Sequence, residues 1–215
     1  ISVAWGQAAF RDLPAVRKKL EMHKERHVIA PNLAVTVNDP YVNNAMFGLN
    51  WRYYVQPWLG LGIDIAGGVG FETGMAAQIR EERSTADNQF TLSTTSLRLL
   101  AHATAEFVPI EGKLLFAGGH QARIDLHIIA GFGMALVAGT NRIDDEITWM
   151  PVIGAGFRTF PNDWIAITVD IRDYMVSRVY AATWQGGIPA KEFTNNLAVT
   201  LSVGFFLPMT PVVGE

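Results

Sequence analysis

The chain has 215 residues, 49% of them hydrophobic and only 17% charged, with a formal net charge of -3 and no cysteine. That length suits one domain, the charge excludes a nucleic-acid-binding surface, and the charged fraction is low beside the quarter usual in soluble domains. No uncharged apolar run of about 18 residues exists, so no transmembrane helix is expected; the nearest run, Ile124 to Ala138, is broken by Asp125 and His127.

In chain order, residues 1–26 come first as an N-terminal segment. Ile1 is not an initiator methionine, so removal of an upstream piece such as a secretory signal is expected. Asp12 can cap a short helix with Pro14 in its first turn. The basic residues Arg17, Lys18, Lys19, Lys24 and Arg26 can touch lipid headgroups or a periplasmic partner. The plain alternative is a solvated linker.

From residue 27 to 208 the hydrophobic period is two, the mark of strands with unlike faces. Leu33, Val35 and Val37 alternate with Asn32, Ala34 and Thr36. Phe47, Leu49, Trp51, Tyr53 and Val55 alternate with Met46, Gly48, Asn50 and Arg52. Leu59 to Phe71 sets Leu61, Ile63 and Ile65 against Gly62, Asp64 and Ala66. Leu97, Leu99, Ala101, Ala103, Ala105 and Phe107 oppose Arg98, His102, Thr104 and Glu106. Leu126, Ile128, Ala130, Phe132 and Met134 oppose Asp125, His127, Gly131 and Gly133. Trp149, Ile153, Ala155 and Phe157 oppose Gly154, Gly156 and Arg158. Ile165, Ile167, Val169 and Ile171 oppose Thr168, Asp170 and Arg172. Leu197 to Leu207 closes the series, with Asn196, Thr200 and Ser202 on its other face. Eight strands of about ten residues match the length that crosses a bilayer at a tilt. Residues 209–215 remain as a C-terminal tail.

The polar face decides between a soluble and a membrane barrel. Water-facing strands carry lysine, yet Lys18, Lys19, Lys24, Lys113 and Lys191 all fall outside the strand cores. The polar face is mostly small residues with scattered charge: Arg52, Arg98, Arg158 and Arg172 against Asp64, Glu106, Asp125 and Asp170. Such a set reads as a compensated lumen, since a buried unpaired charge is costly. The expected fold is therefore an all-β, closed, antiparallel up-and-down transmembrane barrel of eight strands. A backbone in lipid must bond internally, so the last strand must pair with the first.

Tight turns at Gln56-Pro57-Trp58 and Pro161-Asn162-Asp163 contrast with long connections at Glu72–Gln89, Gly139–Glu146 and Ser177–Thr194. Short periplasmic turns and longer outer loops are the usual arrangement, which would place both termini in the periplasm. The hairpin at Asp39-Pro40 is short, and Pro109 to Gln121 is long enough for a small cap. Trp51, Trp58, Trp149 and Trp164 are the expected interfacial aromatics.

His102, Glu106, Asp125 and His127 lie on one face of neighbouring strands. A proton-transfer or metal site is the sharp reading; a hydrogen-bonded lumen network with Arg98 and Arg158 is the plain and preferred one, because buried polar groups need partners whatever their function. Two histidines so spaced make no zinc motif. No catalytic residue, metal or cofactor is assigned. Asp173, next to inward Arg172, is expected to face outward near the loop end.

Ala101, Ala103 and Ala105 form an outward strip of small residues that lets a neighbour approach closely; another chain in the membrane is one occupant, and mere tolerance of alanine is the alternative. An eight-stranded barrel fills itself with side chains, which favours an anchor or scaffold with lipid and envelope-protein partners. A narrow channel and a lipid-modifying enzyme dependent on His102 or His127 are the alternatives.

The chain also resembles the outer-membrane β-barrel domain family of myxobacteria and related deltaproteobacteria. The resemblance runs from about Val16 to Pro208, through Val37-Asn38-Asp39-Pro40-Tyr41, Trp58-Leu59-Gly60-Leu61-Gly62, Glu111-Gly112-Lys113-Leu114, Arg172-Asp173-Tyr174, Asn195-Asn196-Leu197 and Gly204-Phe205-Phe206-Leu207-Pro208. It implies an outer-membrane location and brings no catalytic residues. Some members resemble components of gliding-motility machinery. The extension past the terminal aromatic, Met209 to Glu215, departs from typical barrels.

Overall fold

The computed structural model describes residues 20–84, 90, 92–115, 121–140, 145–180 and 190–213. Eight strands close into one antiparallel barrel: β2 (His27–Thr36), β3 (Val42–Gln56), β4 (Leu59–Glu72), β5 (Thr95–Leu115), β6 (Gln121–Gly139), β7 (Glu146–Phe160), β8 (Ile165–Tyr180) and β9 (Ala190–Leu207). Each strand pairs with its sequence neighbour, and β9 returns to β2 with Ile29 opposite Phe205 and Thr36 opposite Ala198. The closure leaves no barrel edge unpaired, as a backbone facing lipid requires. Among the described residues no helix is long and apolar enough to cross a membrane; the strands cross it.

Two more strands, β1 (Leu20–Glu21) and β10 (Val212–Val213), pair with each other outside the barrel. The short-turn end is set by local chemistry. Asn162 Oδ1 accepts the backbone N–H groups of Trp164 and Ile165 at 3.1 and 2.7 Å, fixing the turn from β7 to β8. At the other end, Asp39 Oδ1 accepts the N–H groups of Tyr41 and Val42. The connection after β4, expected as a plain loop, contains helix α1 (Gly74–Arg83), whose first turn is capped by Thr73 accepting from Ala76 N at 3.3 Å. Arg80 pairs back onto Glu72.

The outward face is apolar from rim to rim: Leu33, Phe47, Leu61, Ile65, Ile128, Phe132, Ile153, Ile171 and Leu201 are all exposed. Buried polar groups lie inside. This inverted polarity places the apolar side chains against lipid. Trp58 stands edge-on to Phe107 at 5.9 Å, and Trp164 stacks on Phe205 at 6.2 Å, both at the short-turn rim. Trp149 stacks on Phe132 at 5.6 Å toward the long-hairpin rim. Trp51 pairs with Ile63 on β4 and Ile29 on β2, and its ring stacks on that of His27 at 5.9 Å.

Several strands outrun the expected segments. β5 and β6 continue as a paired ribbon past the barrel, with Lys113 opposite Arg123, and β8 and β9 pair as far as Tyr180 and Ala190, with Val179 opposite Lys191. Lys113 and Lys191 thus sit on strand extensions beyond the bilayer core. Pro109 to Leu115, expected as part of a small cap, is strand.

Arg98 is a correction. A register shift between Leu97 and Leu99 inserts one residue against β6, where Leu97 faces Val137 and Leu99 faces Leu136. A bulge of this kind leaves one residue of the strand unpaired and resets alternation. Leu97 consequently points inward at 3% exposure, while Arg98 and Leu99 both face outward. Arg98 takes no part in the lumen network.

Candidate functional site

The lumen is filled in three layers. Toward the long hairpins lies an apolar layer that includes Met46, Leu97, Leu100, Met150, Val152 and Val176. Toward the short turns lies a second, with Met22, Val28, Tyr54, Val108, Phe160 and Phe206. Between them sits the charged layer.

Arg158 is its hub. Its Nη2 donates to both Glu106 carboxylate oxygens, at 2.8 and 2.9 Å, and its Nη1 donates to Asp125 at 3.4 Å and to the Tyr54 hydroxyl at 2.6 Å. Arg52 and the Tyr54 hydroxyl also donate to Glu106. Arg172 forms a second centre, donating to Asp170 at 2.7 Å and to Asp64 at 3.2 Å. Asn50 Nδ2 donates to Asp64 at 2.7 Å. His127 joins the two centres, with Nδ1 3.1 Å from Asp125 and Nε2 2.8 Å from Asp170. This histidine stands between two carboxylates, one from each centre.

The expected cluster of His102, Glu106, Asp125 and His127 is divided. Glu106 and Asp125 share Arg158, and His127 bridges to Asp170. His102 belongs to the other centre, with Nδ1 4.0 Å from Asp64 and its ring 5.8 Å from Tyr174. No group of three or more His, Asp or Glu among the described residues is arranged to hold a metal ion. A void of about 20 Å³ remains among Asn50, Arg52, Arg158, Asp170 and Arg172, room for about one water molecule.

The short-turn mouth is closed by residues 20–26, the end of the segment expected as a short helix or a solvated linker. His23 is fully buried, its ring 4.6 Å from Tyr54, 5.5 Å from Phe160 and 5.8 Å from Phe206. Its Nε2 lies 3.1 Å from Asp125 and its Nδ1 3.2 Å from Glu111. Arg26 is not at a headgroup or partner surface but equally buried. It donates to the carbonyls of Met22 and Pro208 at 2.8 Å and of Asp163 at 2.9 Å, with its guanidinium 4.9 Å from the Phe206 ring. Burial lowers the Arg26 pKa from its ordinary value, and Asp163 acts in the opposite direction. Glu25 turns the chain into the mouth with φ of 57°, and Glu25 N donates to Tyr54 O at 2.9 Å.

Tyr54 and Phe206 had a signal in the sequence: both share the inward parity of Arg52 and Gly204. His23 and Arg26 had none, for they sit in a charged run before the first strand. Outside the barrel, Ala103 and Ala105 are exposed and Ala101 half-buried, as their strip predicts. Asp173 faces outward between Leu197 and Ile153, half-buried.

A closed eight-stranded barrel with an apolar outside and a paired, charged inside is an integral membrane β-barrel. No protein-family model matches the sequence, and no curated protein matches it. Among solved structures it is similar to Ail, the attachment invasion locus protein of Yersinia pestis, at 14% identity over 86% of this chain and 99% of that one, TM-score 0.44. It is also similar to the outer membrane protein OprG from Pseudomonas aeruginosa, at 9% identity over 88% and 99%, TM-score 0.44. At these identities the likeness concerns the fold alone.

Proposed function

We propose that this protein is a sealed anchor in the outer membrane, a scaffold subunit of an envelope complex, oriented with its long hairpins outward and its termini in the periplasm. The observation that carries the reading is the triple closure of the lumen: apolar side chains, then a buried layer of ion-paired side chains centred on Arg158 and Arg172, then a plug made by residues 20–26. An ion would have to disrupt each layer in turn, so the interior serves cohesion rather than transport.

Against the channel alternative, the void among the charged side chains of the described lumen is the size of one water molecule. The lipid-modifying alternative needs substrate at His102 or His127, which are 4% and 2% exposed. What is left for function is the surface: the outer hairpins with α1, the lipid-facing belt, and the plugged periplasmic end. Membership of a gliding-motility machine is the finer form of the proposal and draws on the sequence resemblance alone.

The test is affinity purification of the chain from gently extracted envelopes, followed by mass spectrometry, with planar-bilayer recordings of the purified barrel. Stoichiometric envelope proteins and a silent bilayer are expected. A lone barrel with discrete conductance steps would overturn the scaffold reading.

A further inference from the structure

At the short-turn end five ionisable side chains stand in a row that alternates carboxylate and imidazole. Glu111 Oε1 lies 3.2 Å from His23 Nδ1, and His23 Nε2 lies 3.1 Å from Asp125 Oδ2. Asp125 Oδ1 lies 3.1 Å from His127 Nδ1, and His127 Nε2 lies 2.8 Å from Asp170 Oδ1. The plug, β5, β6 and β8 each supply members of the row. Its first member alone meets water: the Glu111 side chain is 22% exposed, and none of the other four exceeds 2%.

Each imidazole thus faces a different carboxylate with each of its nitrogens. A carboxylate accepts and does not donate, and a neutral imidazole has a single N–H. Two carboxylate contacts per ring therefore call for one proton more than a neutral ring carries. His23 also has a partner ready for the state with one proton fewer. Arg158 Nη1 stands 3.1 Å from His23 Nε2, the same nitrogen that faces Asp125. With its proton, Nε2 donates to Asp125; without it, Nε2 accepts from Arg158. Neither state strands a buried polar atom, which would be costly, so a proton can pass through His23 with its surroundings in place. The other neighbours hold the ring and take no proton: Tyr54 of β3 donates its hydroxyl to Glu106, and Phe160 and Phe206 are apolar.

The far end is blind. Asp170 Oδ2 accepts from Arg172 Nε and Nη2 at 3.1 and 2.7 Å, and a guanidinium does not release its protons. Toward the long hairpins lies the apolar layer with Met46, Leu100 and Met150. Gly156 leaves room for the last contact, since a Cβ there would collide with Asp170 Oδ1.

We propose that this row is a one-sided proton relay, which connects water at the short-turn mouth with the buried charge layer and carries no proton across the membrane. A protonated Glu111 gives its proton to His23 Nδ1, and the ring becomes a cation. The proton on Nε2 then passes to Asp125, and the bare Nε2 accepts from Arg158. A half-turn of the Asp125 carboxyl group presents the proton to His127, where it settles between Asp125 and Asp170. Each step moves one proton between groups already in hydrogen-bond reach. His102 and Glu106 lie off the row. That the mouth opens to the periplasm rests on the orientation proposed above; the relay itself does not.

The test measures exchange of the His127 ring N–H with water, by saturation transfer on the full chain labelled with 15N-histidine in detergent micelles. Glu111→Gln and His23→Phe should each slow this exchange roughly tenfold or more, because a positioned proton-transfer group contributes at least that much. Arg26→Ala loosens the plug backbone but keeps every member of the row. It should leave the His127 rate unchanged while the amides of Met22 to Arg26 accelerate. A heat-modifiable gel band establishes that each variant is folded, and Glu111→Gln, at the exposed end, decides the matter alone if His23→Phe does not fold. An unchanged rate in a folded Glu111→Gln or His23→Phe would overturn the proposal. So would a His127 rate that rises with the plug amides in Arg26→Ala, since water would then reach the histidine by opening of the plug. Micelles offer the same water to both ends, so the outcome is independent of the orientation and of the scaffold role.

Discussion

Arg158 of β7 and Glu106 of β5 meet across the lumen, over the head of the intervening strand β6, with one guanidinium nitrogen 2.8 and 2.9 Å from the two carboxylate oxygens. Both side chains are almost wholly buried. Removing one partner of such a pair strands a charge in a low-dielectric interior, at a cost of about 3–5 kcal/mol. Arg158→Gln should therefore lower the urea midpoint of the folded band markedly. Arg98→Gln, outside the network, should leave the unfolding free energy within about 0.5 kcal/mol of wild type. Comparable losses in the two variants would remove Arg158 from its place as the hub.

A second prediction concerns close approach. A Cβ at Gly156 would collide with Asp170 Oδ1 and come within 2.6 Å of His127 Nε2, whereas one at Gly112 would meet only Ile124, at 3.5 Å. Gly156→Ala should displace His127 from Asp170 and cost roughly 1–3 kcal/mol, the range for overpacking. Gly112→Ala should be close to neutral. Denaturant titrations of the two variants in the same micelles give the comparison.

The plug yields a third. Arg26→Ala removes the donors to the Met22, Asp163 and Pro208 carbonyls. Hydrogen exchange at Met22 to Arg26 should then accelerate by at least tenfold, while the strand amides of β3 to β8 stay protected. The bilayer recording should remain silent, because the apolar layer of Met46, Leu97, Leu100 and Met150 still blocks the far side. A conductance in Arg26→Ala would mean that the plug is the sole barrier.

The girdle yields a fourth. In single-tryptophan variants reconstituted with brominated lipids, Trp51 should be quenched most by bromines deep in the acyl chains. Trp58 and Trp164 should respond most to bromines near the headgroup. The reverse order would shift the bilayer along the barrel.

Period-two alternation made most of this fold readable in advance, because burial on one face and lipid on the other impose the same pattern for about ten residues at a time. Asp64, Glu106, Asp125, His127, Arg158, Asp170 and Arg172 follow from parity alone. Arg98 did not, since a bulge adds one residue without any change in composition, and every inference by parity across it inverts. His23 and Arg26 were hidden because their partners, Phe206, Pro208 and Asp163, lie far along the chain, and a charged run before a strand ordinarily signals solvent. Helix α1 had its cap in view at Thr73, within a stretch read only as a connection.

The clasp between β1 and β10 joins Leu20 to Val213 and Glu21 to Val212, and Arg26 binds carbonyls contributed by both extremes of the described chain. Both lie beside the seam where β9 pairs with β2. The lower seal thus ties the two ends of the described chain together across the seam that closes the barrel, so that parting β9 from β2 would open the floor as well as the wall.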